Sequence, residues 1–304
     1  MNLKIDKNQL KGIIFLLITA IIWGGSFISQ LFGGAAVGPF SFSAYRGIVG
    51  CISIYIMIIF DNYFKGHGFV FFRKDENVML TLKSSLICGV VLFSALITQQ
   101  VGVQNTDTAK AGLIASLEVV CVPIIMFIVY KRKIRFITWA FIILAMIGIM
   151  MLSLNSITGI NIGDVWVFIS TILYSITIIQ IPLYINGVDP LKFSFFRFLC
   201  VGIFSFICTI IFKEEMFNIV KVKNAIMSIL YSGILASGVA YTLQIIGQKY
   251  CEPVIATLIM SLEGIFAAIL GWIILGQSLN FVQILGIIIA FISIVIVQIT
   301  DSRI

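Results

Sequence analysis

Mostly apolar residues occur in ten long runs along the chain, and short polar or turn-forming stretches separate each run from the next. A helix needs roughly 20 residues to cross a hydrocarbon core of about 30 Å, and each run has about that length. The longest break, from 61 to 83, is too short for a soluble domain. The pattern therefore predicts ten transmembrane helices, over residues 12–32, 39–60, 84–103, 109–130, 136–154, 163–185, 190–212, 225–248, 253–275 and 281–299.

The composition indicates the same environment. Of the 304 residues, 60% are hydrophobic and 11% are charged, which leaves too little polar surface to cover a water-soluble globule. We expect an all-α integral membrane protein whose surroundings are the lipid bilayer. The net charge of +7 would suggest nucleic acid for a soluble protein. In membrane proteins lysine and arginine gather in cytoplasmic loops, so we expect no nucleic-acid partner.

The first run exceeds the roughly 7–15 apolar residues of a signal peptide, so we interpret it as a retained helix. The six cysteines lie in or beside apolar runs, without CxxC spacing and with a single histidine in the whole chain. This pattern is typical of cysteines that pack in a core. No metal and no cofactor is expected.

The distribution of lysine and arginine predicts the orientation. With a cytoplasmic N-terminus, fourteen of these residues lie on the cytoplasmic side and four on the other, while Arg46 and Arg197 fall inside helices. Because positive charge favours the cytoplasmic side, both termini are predicted to be cytoplasmic. The expected location is the cell (inner or plasma) membrane, crossed many times.

The chain also contains a tandem repeat. PFSFSAYR at 39–46 corresponds to PLKFSFFR at 190–197, and AGLIASLE at 111–118 matches ATLIMSLE at 256–263 in six of eight positions. Gly89, Thr98 and Gln100 correspond to Gly233, Thr242 and Gln244. We therefore predict two units, 1–154 and 155–304, of five helices each. Since five is odd, the second unit enters the membrane from the opposite side, which gives an inverted repeat.

Several of these features resemble one known family. AIIWGGSFI at 20–28, the two Pro-to-Arg segments and SLEGIFAAILGWIILGQSL at 261–279 resemble the EamA branch of the drug/metabolite transporter superfamily, over nearly the whole chain. Val119 and Gly264 stand where that family commonly has proline, so we expect straighter helices there. Gln277 replaces a common loop glutamate, which argues against a working role for that loop position.

The resemblance implies a secondary transporter that exports or exchanges small metabolites, such as amino acids or related amphiphiles, by alternating access. The sequence has no phosphate-binding GxxxxGK[ST] loop, which agrees with transport that does not use ATP. Two alternatives stay open: a receptor or a flippase for lipid-linked substrates, which predicts a lateral hydrophobic groove, and an uptake permease. An enzyme is not expected, because the single histidine, His67, has no partner set. The protein is expected as a monomer or homodimer.

Polar side chains on single helix faces mark a candidate substrate cavity at the interface of the repeats. Serine and threonine in membrane helices also bond their own backbone or a neighbouring helix, so packing is the competing interpretation for them. The candidate substrate-binding residues are Trp23, Ser26, Thr98, Gln100, Tyr174, Tyr241 and Gln244.

Glu118 and Glu263 fall about eleven residues into their runs, near the bilayer centre. An acidic side chain there costs roughly 2.5–3.5 kcal/mol unless it is protonated, solvated or paired. Three interpretations remain: coupling to protons or a cationic substrate group, hydrogen bonding to helix ends or hydroxyls, and an ion pair with Arg46 or Arg197. We expect the two carboxylates to organise the halves around the cavity, with proton coupling as a second role.

Arg46 and Arg197 lie about seven residues beyond their prolines, roughly one third of the way across. A long basic side chain at this depth commonly reaches back to the lipid headgroups. The functional alternative is gating, or binding of a substrate carboxylate.

Overall fold

The structure is a computed structural model, and it describes residues 7–106, 108–132, 135–152, 161–275 and 280–301. Within these ranges the chain is almost entirely helical. The elements are α1 (Lys7–Val37), α2 (Pro39–Phe64), α3 (Val78–Val103), α4 (Thr108–Ala115), α5 (Glu118–Tyr130), α6 (Phe136–Leu152), α7 (Ile162–Tyr184), α8 (Pro190–Ile211), α9 (Ile219–Leu230), a π-helical segment (Tyr231–Ala240), α10 (Tyr241–Gln248), α11 (Pro253–Met260), α12 (Glu263–Leu275) and α13 (Phe281–Asp301).

Six helical stretches in the described part are long and apolar enough to cross a bilayer: α1, α2, α3, α7, α8 and the continuous stretch from α9 to α10. Shorter apolar helices account for the other predicted runs. The expected helical, multi-pass membrane protein is thereby confirmed. The predicted boundary between residues 154 and 155 lies outside the described residues, as does Gln277.

Two predicted helices are interrupted rather than straight, which corrects the expectation from Val119 and Gly264. At the first break the N–H of Leu117 bonds the Ile114 carbonyl at 3.1 Å, and the N–H of Val119 bonds the Ser116 carbonyl at 3.2 Å. These bonds to the third residue back tighten the chain and end the α-helical pattern. The Ser116 hydroxyl also donates to the Gly112 carbonyl, so the turn forms without proline.

The second break has the same bonds, 145 residues later. Leu262 donates to the Ile259 carbonyl at 3.2 Å, and Gly264 donates to the Ser261 carbonyl at 3.4 Å. The Ser261 hydroxyl donates to the carbonyl of Leu258. As a result, Glu118 and Glu263 are each the first residue of a new helix in mid-run.

Helices α2 and α8 pack against each other as an antiparallel pair. At one end the rings of Phe40 and Phe212 stack with centroids 4.3 Å apart, and further along the Cys51 thiol donates to the Phe195 carbonyl. At the crossing, a Cβ on Gly47 would lie 2.7 Å from the Cα of Gly202. The backbones can approach this closely because residue 47 is glycine, whereas a Cβ on Gly202 would make an ordinary contact, 3.5 Å from the carbonyl carbon of Gly47.

Helix α1 lies against the π-helical segment and uses its polar side chains to hold that segment. Thr19 donates to the Ala240 carbonyl at 3.1 Å, and Ser29 lies 2.7 Å from the Ser232 hydroxyl. In return, the Tyr231 hydroxyl donates to the Ile22 carbonyl at 2.8 Å. A π-helix leaves carbonyls displaced from the regular pattern, and such segments occur frequently at functional sites.

Candidate functional site

A small cavity lies in the middle of the bundle, where both halves of the chain contribute side chains. Its volume is about 30 Å³, which is room for about two water molecules and too little for a metabolite. Ten residues line it: Trp23, Ser26, Phe27, Gln30, Arg46, Gln99, Glu118, Tyr174, Tyr241 and Glu263.

One wall of the cavity is a hydrogen-bonded row of aromatic and amide groups. The Tyr241 hydroxyl donates to the Tyr174 hydroxyl at 3.2 Å, and Tyr174 donates to Gln99 Oε1 at 3.2 Å. The Trp23 ring packs against Tyr241 with centroids 4.7 Å apart. Its indole N–H points to the Ala236 carbonyl of the π-helical segment, at 3.4 Å. The hydrogen bonds and ring contacts of this row fix the orientation of the Trp23, Tyr174 and Tyr241 side chains.

Glu118 and Glu263 reach the same cavity from opposite halves of the chain. Each begins a helix directly after a turn, and the next N–H groups, of Val119 and Gly264, already bond the carbonyls of Ser116 and Ser261. Among the residues that the structure describes, neither carboxylate has a hydrogen-bond or ion-pair partner. The hydroxyl bonds and the arginine ion pair considered from the sequence are therefore both missing here.

The two arginines are buried, which corrects the headgroup interpretation. Arg46 is 2% exposed, lines the cavity and donates from Nε to the Ser237 hydroxyl at 3.2 Å. Arg197 is 1% exposed and lies with its guanidinium carbon 5.4 Å from the centre of the Phe193 ring. Neither side chain reaches back to the bilayer surface, because helix packing covers both.

The structure brings together only part of the predicted substrate set. Trp23, Ser26, Tyr174 and Tyr241 line the cavity, whereas three predicted residues lie outside its lining. These are Thr98, which bonds its own helix, Gln100, which donates to the Gln30 carbonyl at 2.9 Å, and Gln244, which is 2% exposed.

Phe27 and Gln99 line the cavity although the sequence reasoning missed both. Each is the immediate neighbour of a residue that the sequence reasoning chose, Ser26 and Gln100 respectively. Helical spacing of polar residues defines the inward face of a helix to within one position at best. Only the packing of one helix on the next selects which neighbour faces inward.

At one end of the α2–α8 pair, a carboxylate from the loop after α8 bonds the start of α2. Glu214, which follows α8, accepts the N–H of Phe40 at 3.2 Å and the N–H of Ser41 at 2.6 Å, and so caps the start of α2. Position 38 is glycine with φ of 90°, and a Cβ there would lie 2.4 Å from the Glu214 carboxyl carbon. The Tyr45 hydroxyl adds a bond to the Met216 carbonyl at 2.6 Å. We call this cluster the Glu214 end.

The opposite end of the pair is closed by charged side chains. Glu76, in the loop after α2, binds Arg73 at 2.8 Å and also forms an ion pair with Lys192, which is 1% exposed. Asp189 caps α8 through the N–H groups of Leu191 and Lys192 and lies 3.7 Å from Arg73. We call this cluster the Glu76 end.

An apolar groove of about 290 Å³ runs along the outer face of α2 and α8. It is lined by Ile48, Cys51, Ile52, Tyr55, Phe195, Leu199, Gly202 and Ile203. This lateral groove was the feature expected of a lipid flippase. Its lining contains no charged side chain that could carry a lipid headgroup.

Comparison with known proteins gives consistent results. The sequence profile described as the EamA-like transporter family matches residues 10–154 and again 161–299. An uncharacterized transporter of Archaeoglobus fulgidus is 28% identical over 283 residues, which cover 93% of this chain and 84% of that protein. An uncharacterized transporter of Clostridium kluyveri is 24% identical over 291 residues, covering 91% and 90% respectively.

A solved crystal structure shares the fold. It superposes with a TM-score of 0.75 at 15% sequence identity, and the match covers 94% of this chain and 98% of that one. At this identity the likeness concerns the fold alone.

Proposed function

Because the chain belongs to the EamA-like transporter family, within the drug/metabolite transporter superfamily, we propose that it is a secondary transporter of small metabolites. Membership of a transporter family also confirms the expectation that the chain is not an enzyme. The proposed substrates are amino acids or related amphiphiles, exported or exchanged by alternating access. The observation that carries the proposal is one small central cavity that both halves line, with aromatic rings and two carboxylates.

The proposed architecture is an inverted repeat of ten crossings, with units 1–154 and 155–304. Three observations support it: the family profile matches twice, the helix breaks recur at a spacing of 145 residues, and α2 and α8 pack antiparallel. In an inverted repeat the two halves can exchange conformations, which turns a cavity open on one side into a cavity open on the other.

The two ends of the α2–α8 pair are the proposed gates. The distribution of positive charge predicts cytoplasmic termini, so the proposed orientation has the Glu76 end facing the cytoplasm and the Glu214 end facing outward. The proposed cycle breaks one cluster while the other stays closed. The cavity has room for only about two waters, so one of the clusters would have to open before a metabolite could enter.

Protons are the proposed coupling ions, with Glu118 and Glu263 as the groups that carry them. Both line the cavity, and no described residue neutralises either one. An apolar surrounding favours the protonated carboxyl, and entry of water on opening favours release.

Transport is tested in proteoliposomes. Metabolites that raise the melting temperature of the purified protein would be loaded as labelled substrate, and exchange would be measured without ATP. Stabilising metabolites that never cross the membrane would overturn the transporter proposal. The direction of flux under an imposed gradient separates export from uptake.

Coupling is tested with the same vesicles and an imposed pH gradient. Glu118→Gln and Glu263→Gln should abolish accumulation driven by the gradient while substrate exchange continues. Glu252→Gln is the matched control, because Glu252 is 70% exposed in a surface pair with Arg132. Gradient-driven accumulation that survives in both cavity variants would exclude these carboxylates as the coupling groups.

A flippase for lipid-linked substrates is the second candidate, and the lateral groove is the observation in its favour. The groove is apolar, whereas a moving headgroup requires a polar path across the membrane. The groove lining has no charged side chain, whereas the central cavity has several polar ones, so we propose a water-soluble substrate.

A further inference from the structure

We propose that Arg197 forms a binding site for a small monovalent anion, either the carboxylate of a substrate or a free inorganic ion. The site lies between α3 and α8, behind the aromatic wall of the central cavity. The proposal does not depend on which metabolite the protein moves.

The first observation is a guanidinium that lacks any acceptor. Nε, Nη1 and Nη2 of Arg197 are all buried, and none has a hydrogen-bond partner among the residues that the structure describes. No described carboxylate forms an ion pair with it either. Arginine keeps its charge in proteins and offers five N–H donors. Burying it without a hydrogen bond to any of them therefore costs free energy of folding.

The second observation is the apolar surroundings. The ring of Phe193 lies below the guanidinium, and that ring belongs to a buried cluster with Cys88 and Ile245. A Cβ on Gly89 would lie 3.3 Å from the Cα of Arg197, so α3 seals the arginine backbone from the other side. A ring face stabilises a cation only partly, and the donors on the guanidinium edge stay unsatisfied.

Arg46 shows that an arginine at this position of the repeat can have a hydrogen-bond partner. Arg46 occupies the corresponding position in the first half and donates to Ser237. At the spacing of 144 residues that relates Gly89 to Gly233, the counterpart of Ser237 is Phe93, which has no acceptor. Arg197 therefore lacks the hydroxyl that its counterpart uses.

The chemistry of the site selects the ligand. A single positive charge in apolar surroundings is balanced by a single negative charge, and a divalent anion would leave one charge unpaired. The planar fork of guanidinium matches a carboxylate with two parallel hydrogen bonds. The Tyr241 ring packs on Phe198, the next residue after Arg197, so the site is one layer from the cavity.

The test measures how anions stabilise the purified protein. Chloride and acetate would be titrated separately against bulky gluconate at constant ionic strength, with the melting temperature as the readout. We expect a saturable rise with small anions. Stabilisation by acetate alone assigns the site to carboxylates, whereas stabilisation by both assigns it to free small anions as well. A flat response of the wild-type protein to both would overturn the proposal.

Variants locate the site. Arg197→Gln should abolish the response. Arg197→Lys should raise the half-saturating anion concentration about tenfold, because lysine keeps the charge but loses the planar fork of N–H donors. If Arg197→Gln fails to fold, Arg197→Lys still decides: an unchanged half-saturating concentration would exclude the site. Arg132→Gln, at an exposed residue, should behave like the wild type. A response lost in Arg46→Gln but kept in both Arg197 variants would place the anion in the central cavity instead.

Discussion

The two ends of the α2–α8 pair occupy corresponding places in the repeat but close by different means. At the Glu76 end, charged side chains pair with each other, and the buried Lys192 depends on Glu76. At the Glu214 end, one carboxylate bonds backbone N–H groups of α2, beside a glycine that leaves room for it. Because Glu214 bonds backbone N–H groups, no buried basic side chain loses its partner when this end opens. The Glu214 end should therefore open at a lower free-energy cost than the Glu76 end.

The largest effect is expected at the charged end. Glu76→Gln removes the anion from Lys192, which is 1% exposed, and from Arg73. Breaking a buried pair in this way typically costs about 3 kcal/mol, because a charge is left without its partner. The free energy of unfolding would be measured by titration with denaturing detergent in mixed micelles.

Controls for this substitution come from the same region of the chain. Asp61→Asn breaks the exposed pair with Lys65 and should cost at most about 0.5 kcal/mol. The double variant Glu76→Gln, Lys192→Met should recover most of the loss, because it also removes the stranded charge. Equal losses for Glu76→Gln and Asp61→Asn would contradict the buried character of this cluster.

The next effect is expected from Gly38→Ala. Its φ of 90° is unfavourable for any side chain, and the new Cβ would lie 2.4 Å from the Glu214 carboxyl carbon. We expect a loss of about 2 kcal/mol. Gly66→Ala is the control, because Gly66 also has a positive φ, of 78°, but has nothing within 4 Å of its would-be Cβ. If both variants lose the same stability, the contact with Glu214 contributes nothing.

Glu214→Gln should have a smaller effect on stability but a visible one on opening. It weakens a charged cap of α2, for which losses of about 1 kcal/mol are typical. Opening would be followed through Ser41→Cys, because Ser41 is fully buried and its hydroxyl has no hydrogen-bond partner among the described residues. In Glu214→Gln, a membrane-impermeant maleimide should label that cysteine faster. Unchanged labelling would show that Glu214 does not hold this end closed.

The sequence was sufficient for the positions of the helices and for much of the cavity. Hydropathy locates runs of bilayer length, and helical spacing placed Trp23, Ser26, Tyr174 and Tyr241 on inward faces. The sequence could not reveal the helix breaks beside Glu118 and Glu263. A backbone N–H that bonds the carbonyl three residues back instead of four leaves the hydropathy of the run unchanged. The breaks need no proline, so the absence of proline was misleading.

The partners of charged side chains were harder to predict. Position along the helix predicted that Arg46 and Arg197 lie about one third of the way across the membrane. It did not predict which helices would cover them. The same holds for Glu214 and Lys192, whose partners lie more than 100 residues away in the chain. Contacts of this kind depend on the packing angle between helices, which apolar periodicity does not encode.

The smallest effect is expected at Glu215, the neighbour of Glu214 in the chain. Glu215 is exposed, and the hydrogen bonds from Lys221 and Asn218 lower the pKa of its carboxyl below the usual value. A carboxyl with a lowered folded pKa adds stability above its unfolded pKa and loses it as the pH falls through the folded pKa. Water and salt screen an exposed pair, so Glu215→Gln should shift the melting temperature at pH 7 far less than Glu214→Gln. The small difference from the wild type should disappear in strong acid, and labelling of the cysteine at position 41 should not change. If Glu215→Gln instead matched Glu214→Gln in both measurements, the negative charge of the loop would stabilise this end, and the cap on α2 would not.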